Sequence, residues 1–376
     1  MTELYIGLLS GTSMDGIDAG LFEIGEHTCT TRSTLSVDYP QDLRAELQHA
    51  SRHPGSCDVD AVGRLDTWVG ECFMQAAQAL LDESGVDRAE VRAIGSHGQT
   101  IRHLPRADRP FTLQIGDPNI IAAGTGLTTV ADFRRRDLAL GGEGAPLATG
   151  FHKWFLSDPD EHRVVLNIGG IANITMLPPQ GGTVFGFDTG PGNTLLDAWV
   201  QSRKNLNFDS DGNWAGGGRV SEDLLSALLA DPYFRCRPPK STGFEYFNLA
   251  WLQRSLAGVT KLESIWDEDV QATLVALTAT TIANAIRQYA PGVKRVLACG
   301  GGVRNGLLMR RLKEQLPDAI VESTAGHGIE PEWVEAATFA WLAKRCLDRQ
   351  PGNLPEVTGA SAQTVLGGVW YAPTFL

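Results

Sequence analysis

The sequence predicts an α/β protein built from two related domains, and three observations lead to this class. Helical patterns alternate along the chain with short apolar runs typical of buried strands. The 376 residues suggest two domains or one large one, at about 100 to 200 residues per domain. Two segments also resemble each other, LYIGLLSGTSMDGIDAGLFEI from Leu4 and VVLNIGGIANITML from Val164. Each has a β-rich run, a turn of small residues and a second β-rich run, so we interpret them as the opening hairpins of the two domains.

The remaining elements follow from the spacing of apolar residues. Apolar residues at i, i+3 and i+4 predict helices over 61–84, 270–290, 305–315 and 335–347. Short apolar runs predict buried strands at 92–95, 128–130 and 295–298. Turn-forming residues predict a hairpin loop at 178–182 and a polar loop at 205–218.

The domain boundary is expected where charge, Gly and Pro occur together. The segment DFRRRDLALGGEGAPL, residues 132–147, combines these features immediately before the second hairpin. We therefore expect a first domain over 1–132, completed by 350–376, and a second domain over 133–349.

Composition narrows the function classes. With a net charge of −12 and 43% hydrophobic residues, the chain is too apolar for disorder and too acidic for a nucleic-acid binder. It lacks the features of a secretory signal and any run of roughly 18 apolar residues, so we expect a cytoplasmic protein without a membrane partner. The six cysteines show no metal-ligand spacing and are predicted to be reduced, mostly buried thiols.

The first hairpin turn, SGTSMDGID over 10–18, offers successive backbone amides, three hydroxyls and two carboxylates. Such amides bind anions without a lysine, although an ordinary glycine-rich hairpin has the same appearance. A P-loop is disfavoured because GxxxxGK[ST] is absent.

Two further glycine turns repeat this feature. NIGGIAN, residues 167–173, lies in the second hairpin, and CGGG, residues 299–302, joins a predicted strand to a predicted helix. A strand, a glycine turn and a helix N-terminus suit a phosphate or a nucleoside. Any one of them is explained equally well as a tight turn, but together they resemble the layout of the actin-like ATPase and sugar kinase superfamily.

Asp188 is the candidate general base. In FGFDTGPGN it ends a β-like run and precedes a Thr-Gly-Pro turn, where its carboxylate, with a usual pKa of about 3.9, is ionised near neutrality. A turn-capping role is the alternative. A second polar group, GSHGQT at 95–100 with Asp132 and Arg134, suits a hydroxyl-rich ligand or a carboxylate, although His97 is equally explained by ordinary hydrogen bonding.

Nine segments occur in the order found in the anhydro-N-acetylmuramic acid kinases, and the chain resembles that family over nearly its whole length. They are GLLSGTSMDGID, GSHGQT, ADFRRRD, GGEGAPL, LNIGGIANIT, FDTGPGN, STGFEYFNLAWL, CGGGVRN and VTGASA. The resemblance implies two actin-like, ribonuclease H-like domains around an ATP cleft, a homodimer, and a role in peptidoglycan recycling. It implies that ATP and Mg²⁺ are used to open the 1,6-anhydro ring of the amino sugar 1,6-anhydro-N-acetylmuramate and phosphorylate O6.

The resemblance also implies site residues. Asp188 matches the catalytic base, and Glu330 matches a second acidic position near the nucleotide or the sugar. Five further residues lie in segments that resemble the sugar pocket: His97, Gln99, Thr100, Asp132 and Arg134. The ATP-binding positions are Gly11, Thr12, Ser13, Met14, Asp15, Gly16, Ile17, Asp18, Gly169, Gly170, Asn173, Gly300, Gly301 and Gly302. Asp15, Asp18 and Glu330 are possible outer-shell partners of Mg²⁺, and no direct ligand is assigned.

The sequence departs from the family pattern at three sites. Glu143 replaces a usual Gln, 148–150 replaces a Val-Pro-Ala type sequence, and Phe244 stands where a basic residue is expected. Two other functions fit the motif chemistry: a kinase for an ordinary sugar hydroxyl, and a nucleotide-switched binding protein.

Overall fold

The computed structural model describes residues 2–11, 13–258 and 265–373. Within these ranges the strands, in chain order, are β1 (Glu3–Ser10), β2 (Gly16–Ile24), β3 (Cys29–Asp38), β4 (Val91–Leu104), β5 (Phe111–Ile115), β6 (Thr129–Ala131), β7 (Arg163–Ile168), β8 (Ile171–Leu177), β9 (Phe185–Pro191), β10 (Arg295–Cys299), β11 (Ile320–Ser323) and β12 (Gly368–Trp370).

The helices of the described part are α1 (Gln41–Arg52), α2 (Val59–Ser84), α3 (Pro118–Thr125), α4 (Arg135–Ala139), α5 (Ala148–Leu156), α6 (Thr194–Lys204), α7 (Asn213–Gly217), α8 (Glu222–Leu229), α9 (Leu249–Ala257), α10 (Asp267–Tyr289), α11 (Gly306–Gln315), α12 (Val334–Leu347) and α13 (Pro355–Thr358). Within the same ranges, no helix has both the length and the apolar character needed to cross a membrane.

The chain divides into two compact units. Unit 1 comprises Met1–Phe155 and Trp333–Leu376, and unit 2 comprises Leu156–Glu332. Each unit has its own core: the larger cluster of unit 2 packs α6, α8, α9, α10 and α11 on its sheet, and a core of unit 1 packs α1 and α2 on the other sheet.

The two sheets share one strand order. In unit 1 the order is β12-β6-β4-β1-β2-β3, with β5 paired to β4, and in unit 2 it is β11-β10-β7-β8-β9. In both, the first strand pairs antiparallel with the second and parallel with the fourth. The sequence prediction of two related α/β domains is confirmed, and the arrangement is ribonuclease H-like in each unit.

The division between the units differs from the one expected from sequence. Residues 132–147, expected to be the crossover, lie within unit 1, and the chain enters unit 2 only after Phe155. It returns at Trp333 rather than at residue 350, so α12 belongs to unit 1. The charge cluster was misleading because it forms α4 and a loop fixed by buried hydrogen bonds, described below.

The packing of α12 explains why it belongs to unit 1. A Cβ atom on Gly7 of β1 would lie 1.8 Å from the carbonyl oxygen of Ala336, and one on Gly95 of β4 would lie 2.0 Å from that of Phe339. The main chain of α12 therefore lies directly on the sheet at two strand positions where only glycine leaves room.

The predicted elements agree closely with the structure for the helices and less well for the strands. α2, α10, α11 and α12 confirm the four predicted helices, and the predicted loop at 178–182 joins β8 to β9. β4 continues through Leu104, so the 95–100 segment lies within a strand rather than at its end. The polar loop at 205–218 contains the short helix α7.

The thiols agree with expectation. All six cysteines lie in the described ranges and are free; Cys29, Cys72, Cys299 and Cys346 are buried, Cys57 is partly buried and Cys236 is exposed.

Candidate active site

The first hairpin turn joins β1 to β2 in unit 1. The loop is shorter than predicted: Gly16, Ile17 and Asp18 already belong to β2, and Thr12 lies outside the described residues. Met14 is buried and adopts a φ of 53°, a left-handed conformation that is uncommon for a residue with a side chain. Its amide donates to the carbonyl oxygen of Gly11 at 3.2 Å, which closes the loop tightly.

The side chain of Gln99 in β4 forms hydrogen bonds to the start of this loop. Its side chain is fully buried; Oε1 accepts from the hydroxyl of Ser10 at 2.6 Å, and Nε2 donates to the carbonyl oxygen of Gly11 at 3.2 Å. The loop carboxylate of Asp15 accepts from the hydroxyl of Ser13 at 2.7 Å. Gln99, which the sequence predicts at the sugar, thus fixes the start of the first glycine turn.

Asp18 points from β2 toward β3. The hydroxyl of Ser36, its cross-strand partner, donates to Asp18 Oδ1 at 2.6 Å. The interaction orients the carboxylate at the end of the sheet that carries the first turn.

The second hairpin turn consists of Gly169 and Gly170, between β7 and β8 of unit 2. The carbonyl oxygen of Gly170 accepts from the amides of Gly192 and Thr194 at 2.8 and 3.0 Å, and that of Gly169 accepts from the amide of Asn193 at 2.9 Å. A Cβ atom on Gly192 would lie 2.3 Å from the oxygen of Gly169. The turn is therefore fixed to the segment that begins α6.

Asn173 links this turn to the candidate base. It pairs with Asn167 on one side and with Asp188 on the other, so three polar side chains lie side by side across β7, β8 and β9. The structure thus brings Asp188 beside the second hairpin, as the sequence prediction requires.

The third turn lies against the end of β7. Gly300 has a φ of 81°, and a Cβ atom there would lie 2.4 Å from Oδ1 of Asn167, while one on Gly302 would lie 2.3 Å from the side chain of Ile168. Gly301 has open space around it. The glycines therefore allow a bare stretch of backbone to lie beside the second hairpin.

Glu330 adjoins the third turn. It is exposed, and the next residue, Pro331, accepts a hydrogen bond at its carbonyl oxygen from the amide of Gly300 at 2.9 Å. The second and third glycine turns, Asp188 and Glu330 therefore all belong to one end of the sheet of unit 2.

Asp188 is held by the segment that follows α8. Its Oδ2 accepts from the amide of Thr242 at 3.0 Å, its amide donates to the carbonyl oxygen of Lys240 at 3.3 Å, and its carbonyl oxygen accepts from the hydroxyl of Tyr233 at 2.8 Å. It does not end its strand as predicted, because β9 continues to Pro191 and the turn follows at Gly192. The oriented carboxylate is suited to accept a proton.

His97 and Arg134 of unit 1 contact each other. Arg134 donates from Nε to His97 Nε2 at 3.0 Å and from Nη1 to the carbonyl oxygen of Gly144 at 2.7 Å. Since Nε2 accepts, we assign the ring proton to Nδ1, which lies 2.9 Å from the oxygen of Gly98. Burial and the neighbouring Arg134 hold the pKa of His97 well below its usual value, so the ring is neutral.

Two more predicted sugar-pocket residues, Thr100 and Asp132, lie in unit 1 as well. Thr100 of β4 accepts at its hydroxyl from Nε2 of Gln114 at 3.1 Å. Asp132 follows β6 with a φ of 59° and pairs with Arg135 at 3.6 Å. Burial raises the pKa of Asp132, and Arg135 opposes the rise. A non-glycine residue with positive φ at a strand end is typical of a functional position.

Asp137 is an important residue that the sequence did not indicate. It is fully buried, and its carboxylate accepts from the amide of Gly144, from Nδ2 of Asn353 and from the hydroxyl of Thr358, each at 2.8 Å. It therefore fixes the loop that carries Gly144, the partner of Arg134. Its partners at 353 and 358 are too distant in sequence for any local pattern to reveal them.

The structure shows where the three departures from the family pattern lie. Glu143 forms an ion pair with Arg106, with 2.6 Å between Oε1 and Nη2, so its added charge is balanced. Phe244 is 41% exposed and lies two residues after Thr242. For the replacement at 148–150, the structure shows that these residues begin α5.

The described residues contain no group of three or more His, Cys, Asp or Glu side chains arranged to hold a metal ion. What they do contain are backbone turns suited to phosphate in each unit, and an oriented strand carboxylate in unit 2. A duplicated ribonuclease H-like fold with these features defines a protein of the phosphoryl-transfer class.

Comparison with known proteins identifies the family. The profile of the anhydro-N-acetylmuramic acid kinase family matches residues 3–372. Proteins named anhydro-N-acetylmuramic acid kinase are 50% identical to the chain in Xanthomonas campestris pv. campestris, over 98% of this chain and 97% of the relative, and in Coxiella burnetii, over 99% of both. The chain belongs to the anhydro-N-acetylmuramic acid kinase family.

A solved structure with a weaker likeness is the activator of the 2-hydroxyisocaproyl-CoA dehydratase from Clostridium difficile with bound ADPNP. It is 14% identical, with a TM-score of 0.43, over 90% of this chain and 93% of that one.

Proposed function

We propose that the protein is an ATP-dependent kinase that opens the 1,6-anhydro ring of 1,6-anhydro-N-acetylmuramate with water and phosphorylates O6. The products are N-acetylmuramate 6-phosphate and ADP. The observation that carries this proposal is the placement of Asp188, beside the second glycine turn and with Oδ2 oriented by the amide of Thr242 at 3.0 Å. Family membership over residues 3–372 supports the choice of substrate.

The substrate explains why one carboxylate is enough. Its O6 is bonded to C1, so ring opening requires attack on C1 before O6 is available. Asp188 takes a proton from water as the water oxygen bonds to C1 and the C1–O6 bond breaks. O6 then bonds to the γ-phosphorus while the bond to the β,γ-bridging oxygen breaks and ADP leaves. Because the phosphoryl group captures O6, no second, protonated carboxylic acid is needed, unlike in an inverting glycosidase.

The glycine turns position ATP in this scheme. We assign the phosphates to residues 11–18, 169, 170 and 173, and the nucleoside to Gly300, Gly301 and Gly302. Transfer of a phosphoryl group depends mainly on positioning and on neutralising charge, which backbone amides supply without adding bulk. The open space at Gly301 suits close approach of a ligand to the main chain.

Mg²⁺ supplies further charge neutralisation when it is bound with ATP. Carboxylate oxygens are ligands that Mg²⁺ prefers, and it commonly keeps several waters. Asp15 fits this role because its carboxylate lies in the first phosphate turn and is oriented by Ser13. We propose that Asp15, Asp18 and Glu330 contact the ion through water.

The sugar is assigned to Glu330 and to the polar residues of unit 1: His97, Gln99, Thr100, Asp132 and Arg134. The neutral His97 accepts from Arg134 and fixes the direction of its guanidinium. An oriented guanidinium fork suits a carboxylate, which the lactyl group of a muramic acid carries.

The cellular setting and the assembly proposed here are those that the family resemblance implies. We propose that the protein acts in the cytoplasm in peptidoglycan recycling, as a homodimer. Light scattering after size exclusion should then give twice the chain mass of 40.5 kDa, and a mass equal to one chain would contradict the dimer.

The reaction is tested by mass spectrometry of the product formed from ATP, Mg²⁺ and 1,6-anhydro-N-acetylmuramate in ¹⁸O-labelled water. We expect a phosphorylated sugar with one ¹⁸O at C1, read early, before anomeric exchange. Phosphorylation with an intact anhydro ring would instead mean a kinase for an ordinary hydroxyl. Hydrolysis of ATP without any sugar product would mean a nucleotide-switched binding protein.

A further inference from the structure

We propose that Asp211 is a positioning residue for the nucleoside of ATP: its carboxylate takes the place of a phosphate at the start of α11 and holds the third glycine turn in position for an uncharged group. The inference rests on the proposed function, in which Gly300, Gly301 and Gly302 border the nucleoside. It decides between phosphate and nucleoside, the two ligands that a strand, a glycine turn and a helix N-terminus suit equally.

Asp211 contacts the main chain at the first residue of α11. Its Oδ1 accepts from the amide of Gly306 at 2.9 Å, although the two residues are 95 positions apart in the sequence. A Cβ atom on Gly306 would lie 2.4 Å from the same oxygen, so the carboxylate lies where only glycine leaves room. The contact therefore joins the polar loop at 205–218 to the residues that follow the third turn.

A second side chain binds the start of α11. Oδ1 of Asn305, the residue before the helix, accepts from the amide of Leu308 at 3.0 Å. Two of the first three amides of α11, those of Gly306 and Leu308, are thus bonded to side chains. A helix N-terminus attracts anions because its first amides lack partners within the helix. Here two of these amides already have acceptors, and Asp211 adds a negative charge that repels a phosphate but not a nucleoside.

The third turn is held at both ends and is open between them. At its start the amide of Gly300 donates to the carbonyl oxygen of Pro331 at 2.9 Å, and beyond its end the amide of Gly306 donates to Asp211. The space that a Cβ atom on Gly301 would face is open. Loss of one anchor would let the open stretch move, and ordering it again would weaken ligand binding.

Asp211 is itself held by the segment that begins α7. It has a φ of 57°, and the amide of the next residue, Gly212, donates to the carbonyl oxygen of Asp209 at 3.1 Å. The carboxylate of Asp209 accepts from the amides of Trp214 and Ala215, both at 2.9 Å. Since Ala215 belongs to the core of unit 2, the loop that carries Asp211 is anchored to that core.

The first test removes the carboxylate and keeps the backbone. Glycine adopts a left-handed conformation readily, so Asp211→Gly removes the hydrogen bond to Gly306 without straining the loop. We expect the Kd for ADP with Mg²⁺, measured by calorimetry, to rise about tenfold, because a charge-assisted hydrogen bond is lost. The KM for ATP should rise similarly, while kcat and the KM for the sugar stay within about twofold. A merely structural role would change these constants together.

Asp211→Asn separates the hydrogen bond from the charge. The side-chain oxygen of asparagine still accepts from Gly306, and asparagine tolerates a left-handed conformation. We therefore expect a Kd for ADP within about twofold of that of the parent enzyme. Clearly tighter binding of ADP would mean that a phosphate lies at the start of α11, and it would overturn the proposal.

The matched control is Asn205→Gly. Asn205 is also exposed, has a φ of 55° and accepts one hydrogen bond, from Gln201 at 2.9 Å, but it lies at the end of α6. We expect no change in the Kd for ADP. An equal rise in Asn205→Gly, or no rise in Asp211→Gly, would overturn the proposal.

Gly306→Ala disturbs the same contact from the other side and provides the comparison if Asp211→Gly does not fold. Its methyl group would lie 2.4 Å from Oδ1 of Asp211 and displace the carboxylate. We expect a similar rise in the Kd for ADP, and little further rise in the double variant with Asp211→Gly, which removes the clash. Fully additive effects would contradict a shared role.

Hydrogen exchange of residues 300–308 without nucleotide separates this role from the proposed function. We expect faster exchange in Asp211→Gly than in the parent enzyme or Asn205→Gly, because the amide of Gly306 loses its acceptor. Unchanged exchange in Asp211→Gly would overturn the role of Asp211. If the parent enzyme does not bind ADP at all, the proposed function fails, while the exchange still decides whether Asp211 holds the turn.

Discussion

At the scale of single residues, the candidate base Asp188 of β9 depends on neighbours from two other strands and one loop. Asp188 lies beside Asn173 of β8, which in turn lies beside Asn167 of β7. Thr242 occupies one carboxylate oxygen by a hydrogen bond. This arrangement fixes the direction of the carboxylate before any substrate binds, which is the condition for efficient proton transfer.

We predict that Asp188→Asn lowers kcat by about 10²- to 10⁴-fold while ATP binding and folding are retained, because the amide keeps the shape of the side chain but accepts no proton. Steady-state kinetics, calorimetric ATP titration and thermal unfolding measure the three properties. Asp160→Asn, at an exposed position of the same unit, is the control and should behave as the parent enzyme. Turnover by Asp188→Asn at the parent rate would remove Asp188 as the base.

Some residues of the candidate site could be predicted from the sequence, and others could not. Asp188 and the glycine turns were predicted from local residue patterns, although β9 continues past Asp188 to Pro191. Asp137 was not found because its role comes from contacts with residues distant along the chain, such as Thr358. A charged residue in a polar loop has no local feature that separates it from a solvated one.

At the scale of secondary-structure elements, the close packing of α12 on the first sheet is the most specific feature. Gly7 and Gly95 lie on neighbouring strands, and each faces a carbonyl group of the helix. The sheet and the helix are thus in main-chain contact over one turn. Such contact leaves no room for adjustment by side-chain rotation, so the helix position is set by the two glycines.

We predict that Gly95→Ala lowers the free energy of unfolding by about 2 to 3 kcal/mol, since a methyl group 2.0 Å from the oxygen of Phe339 forces backbone to move. Urea unfolding measures the change. The comparison variant is Gly63→Ala in α2, where nothing lies within 4 Å of the added methyl group. There we expect stabilisation by up to about 1 kcal/mol, from better helix propensity. Equal effects of the two variants would contradict this packing.

Helices were easier to predict than strands for a physical reason. The apolar stripe of a helix such as α2 or α10 repeats over many turns, so its period is well determined by sequence alone. The extent of β4 and β9 depends instead on partners elsewhere in the sheet, and both continue past glycines that normally indicate a turn. Strand pairing overrode the local signal at those positions.

At the scale of the whole molecule, the boundary between the units follows packing rather than composition. Residues 132–147 have the Gly, Pro and charge of a linker, yet Asp137 is buried there and joined to Asn353 and Thr358. These hydrogen bonds tie the segment into unit 1. The C-terminal part of unit 1 begins at Trp333 rather than at residue 350, so α12 belongs to that part.

The two units should respond oppositely to mild acid. In unit 1, burial holds the pKa of His97 well below its usual value and lowers that of His152 to about 3. Below pH 6.5, about the usual pKa of histidine, these two side chains bind protons in the unfolded chain but not in the folded unit. Each histidine therefore lowers the free energy of unfolding by about 1.4 kcal/mol for every pH unit below that value. In unit 2, burial raises the pKa of Asp197 to about 7, so the folded unit binds the extra proton and gains stability as the pH falls from 7 toward 4.

We expect hydrogen exchange, corrected for intrinsic rates, to show weaker protection of unit 1 than of unit 2 at pH 5.5, relative to pH 7.5. His162 of unit 2 has a lowered pKa as well but is more exposed, so its opposing effect is smaller. The variant Asp197→Asn should abolish the acid gain of unit 2 and leave unit 1 unaffected. Parallel loss of protection in both units would refute the assignment.

The insertion of unit 2 into the chain of unit 1 has a consequence for biosynthesis. A ribosome that has made the first 155 residues has produced most strands of one sheet but not α12, whose main chain lies against Gly7 and Gly95. The emerging polypeptide must therefore keep an uncovered sheet face in the cell until all of unit 2 has been translated. Unit 2, encoded as one uninterrupted stretch, can complete its own core first. The order of folding during translation is thus the reverse of the order in which the two units begin.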